Sequence, residues 1–313
     1  MTKAADAYER ALKANPNMLP ATMKLAQLNA GPLKNPDKAL QYAKKARELA
    51  PADPRATVAV GSIAFQLGNY TWAYSLLQEG SRQLPNDPAV LHDLAWAAYS
   101  LGKVAEARQA MQSALSSAPS SPQSADAKTF LVMTGLTTSE DDANASQAEI
   151  NSALATDPNY VPAVVARAAV QVKRGDTAGA EASYRQVLQR FPDFAPAQRD
   201  LAVLLVDDPT KRDVAYELAT KARRTISGDP LISMVLGRVS YERKDFSRAI
   251  QLFQESAREK PLDARSLYCL GMAHAQARHK AEAKEILNRA LQAGLSDAEA
   301  GEAKRVLADI GGG

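Results

Sequence analysis

The chain has 313 residues, with 38 lysines and arginines against 35 aspartates and glutamates, a formal net charge of +3, and 46% apolar but only 6% aromatic residues. So even a balance excludes a polybasic nucleic-acid footprint, and no apolar run reaches the length of a membrane-spanning helix. The single cysteine, Cys269, excludes an internal disulfide.

The first predicted element is a helix over Thr2 to Asn15, with Ala4, Tyr8 and Ala11 on one face. From residue 19 onward a pattern of two helices, a turn between them and a closing proline recurs, beginning near residues 19, 54, 88, 127, 161, 195, 230 and 264 at a base spacing of 34. Such a period means stacked units that bury surface against their neighbours, and it argues for one elongated domain over residues 1–313. In seven of the eight units a small residue at the eighth position (Ala26, Gly61, Ala95, Ala168, Ala202, Gly237, Gly271) faces another at the twentieth (Ala39, Ala73, Ala107, Ala180, Ala215, Ala249, Ala283). Larger side chains there would pry the two helices apart. Gly68, Gly102 and Gly175 fall just past a first helix, where a left-handed residue ends it. Pro16, Pro51, Pro85, Pro119, Pro158, Pro192 and Pro261 close the second helices.

The units at 19 and 195 carry an extra residue and prolines in the turn (Pro32, Pro36 and Pro209), and their second helices match as Ala39/Ala215, Ala43/Ala219 and Ala46/Ala222. The join over 119–126 lengthens one spacing to 39 and leads into a polar segment, Thr137 to Ser146, with Glu140, Asp141 and Asp142. This reads as a solvated surface insertion, and 119–146 is the natural place for the stack to bend. At the far end, Ser296 and Glu299 form a capping box, and Ala300, Ala303, Val306, Leu307 and Ile310 make the apolar stripe of a final helix over 296–310.

Leu236, Gly237, Ala249, Phe253 and Pro261 stand where the tetratricopeptide repeat has its Leu-Gly pair, alanine, aromatic and closing proline, so the chain resembles an array of that family over nearly its whole length. The resemblance implies an all-α fold, a right-handed superhelical α-solenoid of eight repeats, with residues 1–18 as the orphan second helix of a truncated repeat. The family's tryptophan at the fourth position is replaced throughout, by Thr57, Leu91, Phe130, Val164 and Leu267 among others. The lysine and asparagine clamp of arrays that grip acidic chaperone tails is absent, since Met23, Gln27, Ala89 and Asp93 occupy its places. The asparagine ladder of the sugar-transferase arms is absent too, with Lys24, Ala59, Asp93, Ala166, Asp200, Val235 and Cys269 at position six. In style the repeats resemble bacterial envelope arrays, which favours the cell envelope or periplasm over the cytoplasm.

Catalytic chemistry finds no footing. The three histidines, His92, His274 and His279, include no pair four apart, and the chain has no phosphate-cradling glycine loop or nucleophile elbow. Cys269 lies in an apolar helical stretch and reads as a buried structural thiol, Asp207 and Asp208 as solubilising turn residues. Lys221, Arg223 and Arg224 complement the end of a helix dipole, and Arg167 snorkels from a position usually occupied by leucine. These readings predict a non-enzyme with no cofactor and no metal.

What remains is the inner, concave face, which the resemblance assigns to first-helix positions two, five, nine, twelve and thirteen. In the N-terminal half they are Arg55, Val58, Phe65, His92, Trp96 and Tyr99, and in the C-terminal half Lys173, Arg199, Arg238, Tyr241, Arg265, Tyr268 and Met272. Aromatic and arginine side chains exposed together are characteristic of recognition surfaces. The expectation is a noncatalytic scaffold that holds an extended peptide or a partner helix, binding no nucleic acid and inserting no segment into a membrane. The alternative is a regulatory or substrate-recruiting arm of a larger enzyme or an envelope export assembly. Trp96 and Tyr99 pose a local version of the same choice, between contacting a partner and packing on the next unit.

Overall fold

Aspartate, asparagine and proline decide where the helices start. Asp53, Asp87 and Asp229 sit in extended backbone and accept hydrogen bonds from N–H groups two or three residues on, and the proline after each occupies the first helical position, where no N–H is required. Asn35, Asn69, Asp176 and Asp245 cap second helices in the same way.

The computed structural model describes residues 2–137 and 143–311, which form eighteen helices and no strand. Helix α1 (Thr2–Ala14) precedes eight pairs: α2 and α3 (Leu19–Ala30, Pro36–Leu49), α4 and α5 (Pro54–Gln66, Tyr70–Gln83), α6 and α7 (Pro88–Ser100, Val104–Ser117), and α8 and α9 (Ser124–Leu136, Ala143–Thr156). Then come α10 and α11 (Val161–Lys173, Thr177–Arg190), α12 and α13 (Ala195–Leu205, Arg212–Thr225), α14 and α15 (Pro230–Glu242, Phe246–Glu259), and α16 and α17 (Ala264–Gln276, Lys280–Ala293), followed by α18 (Asp297–Gly311). The fold is an all-α solenoid.

Seven first helices begin at the residue the spacing indicates, and the fourth begins at Ser124, three residues before the expected 127. Helix formation resumes as soon as Pro122 is passed, so the join is shorter than its composition implies. Glu140, Asp141 and Asp142 of the polar segment lie outside the described residues.

In seven of the eight pairs the small residue of the second helix is completely buried, as expected: Ala39, Ala73, Ala107, Ala180, Ala215, Ala249 and Ala283. A β-carbon added to Gly271 would stand 2.7 Å from Leu287 Cγ, and one added to Gly61 2.9 Å from Leu77 Cγ, so glycine is what this approach requires. Gly68, Gly102 and Gly175 take positive φ two residues beyond their helices. Lys244 and Arg278 hold the same place after α14 and α16 with φ of 61° and 63°, a conformation that costs a residue with a β-carbon about 1–2 kcal/mol.

The chain divides into two compact units, 1–194 and 195–313, and the 119–126 join lies inside the first. In the first, Leu76, Val60 and Ile63 pack with Ala26 and Ala39, Leu77 with Ala73 and Ala97, and Met133 with Ile150 and Val170. In the second, Phe253, Leu270 and Leu287 form the core around α14 to α17, and α18 covers it with Ala303, Val306 and Leu307. The Ser296 and Glu299 side chains are hydrogen-bonded at 2.7 Å, and each reaches the other's backbone N–H at 3.4 Å, which is the predicted capping box.

Candidate functional site

The first unit contains two adjoining cavities walled by first helices. One, of about 470 Å³, is lined by Phe65 of α4, His92 and Trp96 of α6, Asp126 of α8, and Tyr160, Arg190, Phe191 and Phe194 from the segments around α10 and α11. The other, of about 440 Å³, lies between α2, α4 and α6 and is lined by Met23, Gln27, Arg55, Val58, Asp87 and their neighbours. Ser62, Gln66 and Asp93 line both, and the Ser62 hydroxyl donates to Asp93 across the shared wall.

Asp126 organises the larger cavity. Its carboxylate lies 2.7 Å from His92 Nε2 and accepts from Trp96 Nε1 at 3.1 Å, and its backbone carbonyl accepts the Tyr160 hydroxyl at 3.4 Å. Burial alone would push the His92 pKa down. Its contacts with Asp126 and Asp93 outweigh burial and raise it to about 9, so the ring is cationic at neutral pH. Burial likewise pulls Asp126 upward, and its bonds to His92, Trp96 and Tyr160 overcome this and hold its carboxyl low. The Trp96 ring is fixed edge-on by Phe130 and Tyr160, with centroids 5.2 and 5.9 Å away.

Of the six predicted residues here, Arg55, Val58, Phe65, His92 and Trp96 line the cavities, with Arg55 bound to its own cap, Asp53, at 3.0 Å. Tyr99 does not. It is buried against Phe130 and Phe194, because position twelve of α6 turns inward where the next repeats supply aromatic rings. Trp96 packs on the neighbouring repeat through Phe130 and Tyr160 and also lines the larger cavity.

The C-terminal stripe needs a larger correction. Arg238 is 7% exposed, with Asp207 at 2.9 Å and Asp263 at 2.7 Å. Arg199 is held by Asp200 and Asp229, and Arg265, more open, by Asp207 and Glu299. Tyr268 is buried and donates to Glu302 at 2.7 Å, Met272 is buried in the core, and Tyr241 lies against Phe246 and Tyr268. Cations and aromatics expected to be exposed here instead join one helix to another: Arg199 reaches Asp229, the cap of α14, Arg238 reaches Asp207 and the α16 cap Asp263, and Arg265 reaches Asp207 and Glu299 of α18. Asp207 is thus an ion-pair hub and not merely a solubilising residue. Lys173, at the end of α10, is exposed.

Sequence reading missed Asp126, Tyr160, Asp93 and Phe191. A signal was available for two of them: His92 to Asp126 and Tyr160 to Asp126 are each separated by 34 positions, one repeat, as are Tyr268 and Glu302. In a stack, complementary residues one period apart are neighbours in space.

Elsewhere the polar groups are engaged in packing. Burial pushes the Cys269 thiol up to about 12, which removes the thiolate. His274 and His279 lie with Nδ1 atoms 3.2 Å apart, and burial followed by the neighbouring ring keeps His274 low. Arg167 is half-buried between α10 and α11 and donates to Ser183 and Gln186. Among the described residues no three histidine, cysteine or carboxylate groups are placed to hold a metal, and no helix is long and apolar enough to cross a membrane.

Two models described as tetratricopeptide repeat match the chain, one over residues 64–129 and the other over 2–54, 33–88, 165–211, 215–264 and 234–298. No curated protein matches it. Solved structures similar to it include the APC/C hetero-tetramer Cut9–Hcn1, at 15% identity and TM-score 0.40 over 99% of this chain and 52% of that one. They also include PilW, a type IV pilus biogenesis factor (20% identity, TM-score 0.47, 61% of this chain and 88% of that), and pilF of Pseudomonas aeruginosa (14%, 0.41, 80% and 96%). This chain spans about half the length of the first.

Proposed function

We propose, from the premise that the chain belongs to the tetratricopeptide repeat family, that it is a noncatalytic protein-interaction scaffold and that its first unit holds an extended peptide segment of a partner along α2, α4, α6 and α8. The observation that carries this reading is the pair of cavities sharing Ser62, Gln66 and Asp93 as a common wall. Together they offer a trough of side-chain-sized recesses on one helix face, apolar at Val58, Phe65 and Trp96 and polar at intervals. That alternation suits an extended backbone whose side chains enter by turns.

Rigidity supports the same reading. Trp96 is fixed by two rings and a hydrogen bond before any partner arrives, so little ordering cost remains at binding. The contact residues proposed are Arg55, Val58, Phe65, His92 and Trp96, extended by Gln66 and Asp93. Arg199, Arg238, Tyr241, Tyr268 and Met272 of the second unit are left out because they are buried or ion-paired within it or, for Tyr241, half-buried against Phe246 and Tyr268.

Trp96→Ala is an ambiguous test, since it also removes the contact with Phe130 and should cost about 2–4 kcal/mol of stability. Gln66→Trp is cleaner. Gln66 is exposed and lines both cavities, so a bulky ring there plugs the trough and leaves the core untouched. The purified variant should keep its helical circular dichroism and melting temperature while losing partners that the native chain captures from its own cell extract. Capture of the same partners at the same yield would refute the groove.

A further inference from the structure

We infer that the partner segment held in the first unit presents a basic side chain, lysine or arginine, to Asp93, with its aliphatic stem laid along Phe65 and Trp96. This rests on the peptide-groove reading above and adds the chemistry of its central contact.

The argument is one of which charges are already satisfied. Four carboxylates line the two cavities: Asp87, Asp93, Asp126 and Asp157. Asp87 caps α6 by accepting from Ala89 and Val90, and Asp157 accepts from the backbone of Asn159. Asp126 is taken up by His92 and Trp96. Asp93 is different. It accepts from the neutral Ser62 hydroxyl, its nearest cation is His92 Nδ1 at 3.6 Å, and its side chain is 39% exposed at the wall between the cavities. An ionised carboxylate has about four acceptor sites, so Asp93 keeps acceptor capacity beyond Ser62 and His92 at this wall.

The other cations of the lining are engaged elsewhere. Arg55 is bound to Asp53 through two hydrogen bonds, and Arg190 lies over the Phe191 ring with its guanidinium carbon 5.5 Å from the centroid. The larger of the two cavities that Asp93 lines has Phe65, Trp96 and Tyr160 among its walls. Aromatic faces accept both a methylene stem and a cation, and a carboxylate within such walls forms a charge-assisted bond that water weakens less than at an open surface. A glutamate in the same recess would face Asp93, Asp126 and Asp157. An apolar side chain would bury Asp93 without a new partner, which is unfavourable.

The test uses the full chain and three fluorescein-labelled nonapeptides of alternating alanine and serine that differ only at the centre, which is lysine, norleucine or glutamate. Fluorescence polarisation should show the lysine peptide binding about tenfold more tightly than the norleucine peptide, the glutamate peptide weakest of the three, and the lysine advantage shrinking as salt is raised. Asp93→Asn keeps an acceptor for Ser62 and should erase the advantage, while Asp37→Asn, the same change of charge at an exposed position of α3 outside both cavities, should keep it; melting curves establish that both variants are folded. Equal or tighter binding of norleucine or glutamate would overturn the basic side chain and leave the peptide groove standing. A lysine preference that survives in Asp93→Asn would overturn the assignment to Asp93. Failure of all three peptides to bind would remove both this inference and the groove reading.

Discussion

Alanine at Gly271 and alanine at Gly301 should shift stability in opposite directions, although both are helical glycine-to-alanine changes in the second unit. In a helix interior the change is intrinsically favourable by about 1 kcal/mol. At Gly301 in α18 nothing lies within 4 Å of the new β-carbon, so a gain of about 0.5–1 kcal/mol should appear. At Gly271 the methyl would stand 2.7 and 2.8 Å from Leu287 Cγ and Cδ2 and 3.2 Å from the Leu287 backbone nitrogen. Leu287 is completely buried and cannot swing aside, so α16 and α17 must separate by several tenths of an ångström. Overpacking of this kind costs about 1–3 kcal/mol, which offsets the helical gain and leaves a net loss of up to about 2 kcal/mol. Leucine at the same position should cost more. The cause can be isolated by truncating the obstructing side chain: Leu287→Ala alone should lose about 2–5 kcal/mol, but in its background Gly271→Ala should become neutral or favourable. Both tryptophans, Trp72 and Trp96, lie in the first unit, so their fluorescence would not report on this one. Hydrogen exchange of α16 and α17 peptides, read by mass spectrometry, gives the local stability. Stabilisation by Gly271→Ala in the native background, or an undiminished cost when Leu287 is truncated, would show that these helices are not held apart by this contact.

His92 should make the first unit lose stability at mildly alkaline pH. Its folded pKa, about 9, exceeds the ordinary histidine value of about 6.5, so its contribution is complete below 6.5 and is lost as pH rises toward 9. That contribution is on the order of 2 kcal/mol with part of the ring open to water, and denaturation monitored by the fluorescence of Trp72 and Trp96 at pH 6 and pH 9.5 should show it in the native chain but not in His92→Gln. Removing the buried Arg238 should cost about 2–3 kcal/mol in exchange protection of α14 and α16, since Asp207 and Asp263 are half-exposed and recover water; no change would mean the ion pairs contribute nothing. Lys244→Gly and Arg278→Gly, which relieve left-handed residues bearing a β-carbon, should each raise stability by about 0.5–1 kcal/mol, and a loss at either site would mean that these turns do not require that conformation.

Much of the fold was legible because a solenoid is built from local and nearest-neighbour rules. The period placed seven of eight first helices to the residue, alanine and glycine marked the close approaches, and proline and glycine marked the ends. Each of these signals is steric and acts within one unit, so one unit of sequence suffices to see it. The site was legible only in part. Family position singled out Val58, Phe65, His92 and Trp96, which line the cavities, but it could not say that position twelve of α6 points into a ring cluster, or that Arg199, Arg238 and Arg265 find carboxylates on other helices. Whether a side chain is free or already paired depends on what the adjacent repeat places opposite it. Local sequence records helix, turn and small-residue packing because these are properties of a segment. Exposure and charge satisfaction are properties of the stack, and Asp126 acquired its role only when packing brought it to His92, Trp96 and Tyr160.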